Sequence, residues 1–208
     1  MKNTIVKVLI FAAITSGYTQ SSYEKFKKLS RPKKWWTIFH PFKAKKALVI
    51  SLEAKRVADS IRKTNLLDGD HAGGQVDAFR HSYWMARLNE EIGTSAARSL
   101  GRAHEKENYL MYKKQRLEEG IVPDEISSEM DLFNNEVGLT LTEKGRKSPR
   151  KGLIYKVINA ITSGKMKVIK KNKKGQFLTQ KDLVIHTDSL KGKWKNNKCL
   201  VSSDYKRK

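Results

Sequence analysis

Hydrophobic positions recur along this chain with two periods, and the change of period divides it. Between Ala44 and Ser163 they return every three or four residues, which is the spacing of helices that bury one face. Ala47, Ile50, Ala54, Val57, Ala58 and Ile61 form the inner stripe of a first helix, Ala47–Lys63, with Lys and Arg outside. The loop Asp68-Gly69-Asp70-His71-Ala72-Gly73-Gly74 interrupts the pattern. A second helix runs from Gln75 to Ile92 and sets Asp77, His81, Trp84, Leu88 and Ile92 on one stripe. A third opens at Thr94 or Ser95 and turns Ala97, Leu100, Gly101, His104, Asn108 and Met111 inward. A fourth begins at Asp124; its apolar stripe is Ile126, Met130, Phe133, Val137 and Leu141, with Asp131, Asn134, Asn135 and Gly138 beside it. The prediction is a mainly α protein, a helical bundle of four or five helices over residues 44–163.

After Gly164 the period shortens. Met166, Val168 and Phe177 alternate with Lys around Asn172–Gly175, which predicts a small β-hairpin in the C-terminal tail, residues 164–208. The last eighteen residues, Lys191 to Lys208, have little to bury and read as loosely ordered, so the helical core is expected to fold without the tail. At the other end, residues 21–43 form a basic aromatic strap containing Lys33-Lys34-Trp35-Trp36 and Phe39-His40-Pro41-Phe42. Its two Trp cover the core, or its rings and Lys lie on a phosphate-rich surface. Residues 1–20 read as a signal peptide: Lys2 and Lys7, the apolar run Val8–Ile14, then Thr15, Ser16 and Gly17. That run is too short to span a bilayer, so no transmembrane segment is expected in the mature chain. The expected location is outside the cytoplasm: periplasmic, secreted or peripherally attached to the envelope.

Charge sharpens this picture. The 208 residues carry 43 Lys and Arg against 21 Asp and Glu, a net +22. Residues 1–65 are net +12 and residues 146–208 net +16, whereas residues 66–145 are net −6. The basic arms suit an anionic envelope polymer or lipid surface, and the acidic centre suits a cation. No base-reading module is present, so sequence-specific nucleic-acid binding is not expected. The single Cys199 excludes an internal disulfide and a Cys-based metal site.

Candidate chemistry sits in that acidic centre. Three consecutive helices each place polar groups beside an apolar stripe: Asp77 with His81, His104 with Glu105, and Asp131 with Asn134 and Asn135. Burying such groups costs several kcal/mol unless something satisfies them. Short connections between antiparallel helices let all three meet in one site. His81, Asp77, His104 and Glu105 are the candidate catalytic residues, and Arg80, Trp84, Asn134 and Asn135 the candidate substrate contacts. Asp77, His81, His104 and Asp131 are candidate ligands for a divalent metal ion, with Glu105 as base toward a bound water. Without a metal, His81 is the base and Asp77 orients it. Either version is a hydrolase acting on a phosphoester, ester or amide. A third reading makes Arg80, His81 and Asp131 a structural network in a non-enzymatic envelope protein whose arms bind polyanions.

Three blocks carry a resemblance: Asp77-Ala78-Phe79-Arg80-His81-Ser82-Tyr83-Trp84, then Ala103-His104-Glu105, then Met130-Asp131-Leu132-Phe133-Asn134-Asn135-Glu136-Val137-Gly138. In this order they resemble the signature of a bacterial helical domain family of unknown function, over about residues 74–141. The segment from Trp35 to Lys46 looks like secreted members from Bacteroidota-type bacteria. The resemblance implies the domain and carries no activity with it. Zinc-dependent phospholipases C use more histidines than the three in this centre, and small phospholipases A2 place Asp where this chain has Ser82.

Overall fold

The computed structural model describes residues 24–118 and 120–207; the signal segment expected at residues 1–20 lies outside them. The basic aromatic segment is helical. Helix α1 spans Arg31–Phe39 and α2 spans Pro41–Arg62. Pro41 disfavours helical backbone at His40, which sits at φ −132°, so the two helices meet in an elbow. Of the two neighbouring Trp, Trp36 is buried and Trp35 is half exposed.

Helix α3, Gln75–Ile92, is the axis of the molecule. Its sequence shows one apolar stripe, yet from Val76 to Ile92 every residue except Arg80 and Glu91 is buried. It is enclosed by α2, by α4 (Thr94–Lys113), by α5 (Glu125–Thr140) and by α6 (Arg150–Thr162). Five packed helices thus run from Pro41 to Thr162, with α1 packed on α4.

Helix α5 starts at a capping box. Asp124 accepts from the Ser127 N–H at 2.8 Å, and the Ser127 hydroxyl accepts from the Asp124 N–H at 3.0 Å. Its buried face differs from the predicted apolar stripe. Met130 is buried, but Phe133 is exposed and Ile126, Val137 and Leu141 are only partly covered. Ser128, Asp131, Asn134, Asn135, Gly138 and Leu139 face inward instead. The reason is backbone contact: a Cβ on Gly138 would lie 2.7 Å from the Ser82 Cα, so α3 and α5 touch where only glycine fits.

The C-terminal segment adds a small sheet. Strand β1, Lys167–Ile169, pairs antiparallel with β2, Leu200–Ser202, with Val168 opposite Val201. The predicted turn at Asn172–Gly175 is present and closes an isolated bridge between Lys171 and Phe177. The expectation that Lys191–Lys208 are loosely ordered is corrected, since Leu200–Ser202 form β2 and Lys198 and Ser203 are buried. Met166, Val168, Ile169 and Leu178 are buried, and the buried Ser203 hydroxyl donates to the Ile161 carbonyl at 2.7 Å. Asn134 fastens β1 to the bundle, since its amide donates to the Lys167 carbonyl and accepts from the Lys167 N–H, both at 2.9 Å. Among the described residues no helix is long and apolar enough to cross a membrane.

Candidate functional site

The site starts at the loop that enters α3. Asp68 accepts from the N–H groups of Asp70 and Gln75 at 3.0 Å, and Asp70 from Ala72 at 3.1 Å, so the loop's acids tie down its own backbone. Asp70 is further held by Lys171 at 2.6 Å and Arg207 at 2.7 Å, both from the C-terminal segment. One turn into α3, Asp77 Oδ2 accepts from the Gly73 N–H at 2.7 Å and Oδ1 from the Arg80 guanidinium at 2.6 Å.

His81 follows one turn later, wholly buried. Its Nε2 lies 3.3 Å from Asp131 Oδ1 on α5 and 3.6 Å from Asp77 Oδ1. Asn135 is also beside the ring. Yet among the described residues no aligned hydrogen bond reaches either ring nitrogen of His81, Asp131 Oδ1, or either polar atom of the Asn135 amide. One ligand-capable atom from each of Asp77, His81 and Asp131 lies within 4.8 Å of the others. Donors around a shared divalent cation have this separation, given bonds of roughly 2.0–2.6 Å. Gly101 on α4 leaves the room, because a Cβ there would meet the Asn135 amide nitrogen at 3.1 Å.

His104 arrives from α4 with its ring 5.9 Å from that of His81, but it is committed elsewhere. Its Nε2 lies 3.1 Å from Glu118 and its Nδ1 3.7 Å from Glu107, so it stands outside the ligand-capable set to which the sequence assigned it. Glu105 is buried; one oxygen accepts from the Asn108 amide at 3.2 Å and the other has no aligned partner. Trp84 sets its edge against both imidazoles and donates its N–H to Ser51 at 2.9 Å. It is a wall of the site rather than a hydrogen-bonding contact. Asn134 has both polar ends taken by the backbone of β1 and likewise serves the frame.

Burial and mutual charge perturb every titratable group at the centre of the cluster. Burial, helped by the nearby charges of Arg80 and His104, pushes the His81 imidazolium well below the usual range, so the ring is neutral. Burial pushes the Asp131 carboxyl well up, and Asp77 and Glu105 add to the rise. Burial also raises Glu105 to about 7 against the opposing pull of His104. His104 goes the other way, to about 9, because its bonds to Glu107 and Glu118 outweigh its desolvation.

A cleft with a cavity volume of about 50 Å³ reaches the Asp77 and Asp131 edge of this cluster. Asp77, Arg80 and Asp131 line it together with Glu118, Asp124, Phe177 and Lys198. That volume admits a few water-sized groups. Lys198 is buried, 2.6 Å from Asp124 and over the Phe177 ring at 3.9 Å. Glu118, Phe177 and Lys198 were missed from sequence. Glu118 lies in a connection, and the other two lie in a segment whose Lys content reads as solvated surface.

The resemblance to a helical domain family of unknown function agrees with comparison to known proteins. No curated protein and no solved structure matches the chain. Residues 34–165, which contain Asp77, Arg80, His81, His104, Glu105, Asp131 and Asn135, match the family described as domain of unknown function (DUF6973), and the chain belongs to that family.

Proposed function

We propose that Asp77, His81 and Asp131 bind a divalent cation and that the domain is a metal-assisted hydrolase in an exported protein. The observation that carries this is the convergence of three buried ligand atoms within 4.8 Å on two different helices, where among the described residues no aligned hydrogen bond reaches the His81 ring nitrogens or Asp131 Oδ1. Natural proteins pair nearly all buried polar atoms, and an unfilled cluster points to a missing partner. Arg80 opposes a cation by sitting on Asp77. The cationic His104 is already paired with Glu118, so what a cation gains on entering comes from Asp131 and Glu105, whose carboxyls burial holds toward the protonated form and which ionise as it binds.

The ion, when bound, supplies an acidified water or a polarised substrate oxygen. Glu105, buried beside Asp131, accepts the proton of the attacking water and returns it to the leaving group. The substrate's scissile bond to that group breaks as the bond to water oxygen forms. Asn135 orients the water or substrate, and Arg80 at the cleft holds an electronegative substrate group. The substrate is a phosphoester, ester or amide. Export rests on the composition of residues 1–20.

Elemental analysis of the purified full-length chain tests the reading, together with melting in the presence of Zn²⁺, Mn²⁺, Mg²⁺ or Ca²⁺. A stoichiometric ion, or a metal-dependent rise in Tm that Asp131→Asn and His81→Gln abolish, is the expected result. No bound ion and no rise with any metal overturns it, leaving His81 and Asp131 as a metal-free pair.

A further inference from the structure

We propose that the outward face of the α1–α2 elbow docks on an anionic lipid bilayer, with Trp35, Phe39 and Phe42 entering the interface and the surrounding Lys meeting the headgroups. The proposal goes beyond the metal-site reading and does not depend on it.

The elbow is held firmly. The Trp36 ring stacks on His40 with centroids 4.6 Å apart, and its N–H is shared between the Ala96 carbonyl at 3.1 Å and the Ser99 hydroxyl at 2.9 Å on α4. With Trp36 facing the bundle, the opposite side of the elbow faces out. Trp35 is 51% exposed, Ile38 53%, Phe39 72% and Phe42 99%. Trp35 and Phe39 stack at 6.0 Å, so the outer rings form a group. On α2, Val49 and Leu52 stand seven and ten residues beyond Phe42, within one face of the helix, and are 54% and 56% exposed. Single exposed apolar residues need no explanation, but a cluster of aromatics continued by an aliphatic stripe marks an interaction surface.

Charge selects the partner. From Glu24 to Arg62 there are twelve Lys and Arg against three acids, and one of those acids, Glu53, is buried. Lys45 is exposed on the same face as Phe42 and Val49. Lys33 and Lys46 turn instead to Glu107 and Glu91 of the bundle. Exposed rings on a segment of net positive charge, with Lys45 on their face, match the boundary between acyl chains and anionic phosphates. A soluble polyanion engages only the Lys and leaves the rings in water; the rings select a bilayer.

The test uses the full-length chain and vesicles of phosphatidylglycerol mixed with phosphatidylcholine. Co-sedimentation should show binding that weakens about tenfold or more with phosphatidylcholine alone or at high salt. The double change Phe39→Ser and Phe42→Ser should weaken it by a further factor of about ten or more with Tm unchanged, since both side chains lie in solvent. Brominated acyl chains should quench tryptophan emission, and Trp35→Phe should remove that quenching. Four results overturn the proposal: no vesicle binding, vesicle binding indifferent to the two Phe changes, heparin binding without vesicle binding, or a dimer that Phe42→Ser dissociates.

Discussion

The two halves of α3 carry buried polar groups of the same kinds, and they treat them in opposite ways. In the C-terminal half, the Tyr83 hydroxyl donates to Glu53 at 2.8 Å and Arg87 to the same carboxylate at 3.2 Å. Arg87 also bridges to Glu90, whose other oxygen accepts from the Ser148 N–H at 2.9 Å, while Arg150 reaches Glu53 at 2.6 Å. Asn89 spends its amide hydrogens on the carbonyls of Leu139 and Thr142. None of these side chains is among the described residues with an unpaired buried polar atom. Around the N-terminal half, His81 and, from α5, Asp131 and Asn135 are equally buried, yet among the described residues no aligned hydrogen bond reaches the His81 ring nitrogens, Asp131 Oδ1 or the Asn135 amide. Buried polarity alone therefore does not mark a site; unused hydrogen-bonding capacity does. The saturated network sets how the helices sit, and the unsaturated one holds donors ready for something else.

The largest effect should come from breaking the saturated half. Arg87→Ala strips Glu53 and Glu90 of a shared counter-charge and should cost about 3–5 kcal/mol in chemical denaturation. A loss under about 1 kcal/mol would mean that the two halves do not differ as argued. Next, Gly138→Ala forces α5 away from the Ser82 backbone and should cost about 1–3 kcal/mol. It also shifts Asp131 against His81, so the metal-induced rise in Tm should shrink with it. Asp131→Asn sharpens the contrast. Without metal it should change stability by less than about 1 kcal/mol, because it removes a buried carboxylate that lacks full pairing. The smallest effect is in acid. Burial favours protonation of Glu53, but Tyr83, Arg87 and Arg150 outweigh it and hold the carboxyl below its ordinary 4.5. The stability this supplies is complete above that pH and lost as pH falls through the lowered value, so Glu53→Gln should flatten part of the acid limb of a stability–pH curve.

Much of this arrangement is legible in sequence. The limits of α3 and the facing of Asp77 and His81 follow from the four-residue step, and Asp124 reads directly as a cap. The face of α5 does not, because hydrophobic spacing weighs side chains and is blind to backbone contact at a residue without one. Gly138 and the two hydrogen bonds between Asn134 and Lys167 turn the polar side inward, against the pull of Phe133 and Ile126. Arg87 and Glu90 resemble an exposed helical pair until α2 and the segment around Ser148 close over them. Glu118 and Lys198 reach the site across long stretches of chain, and no local period records such closure.

The cleft wall is built from two parts of the chain. The region matched to the family ends at residue 165, so the candidate ligands lie within it, while Phe177 and Lys198 lie beyond it. Lys198 sits over the Phe177 ring and is fixed to Asp124 at the cap of α5, so a change at either reshapes the mouth of the cleft without touching Asp77, His81 or Asp131.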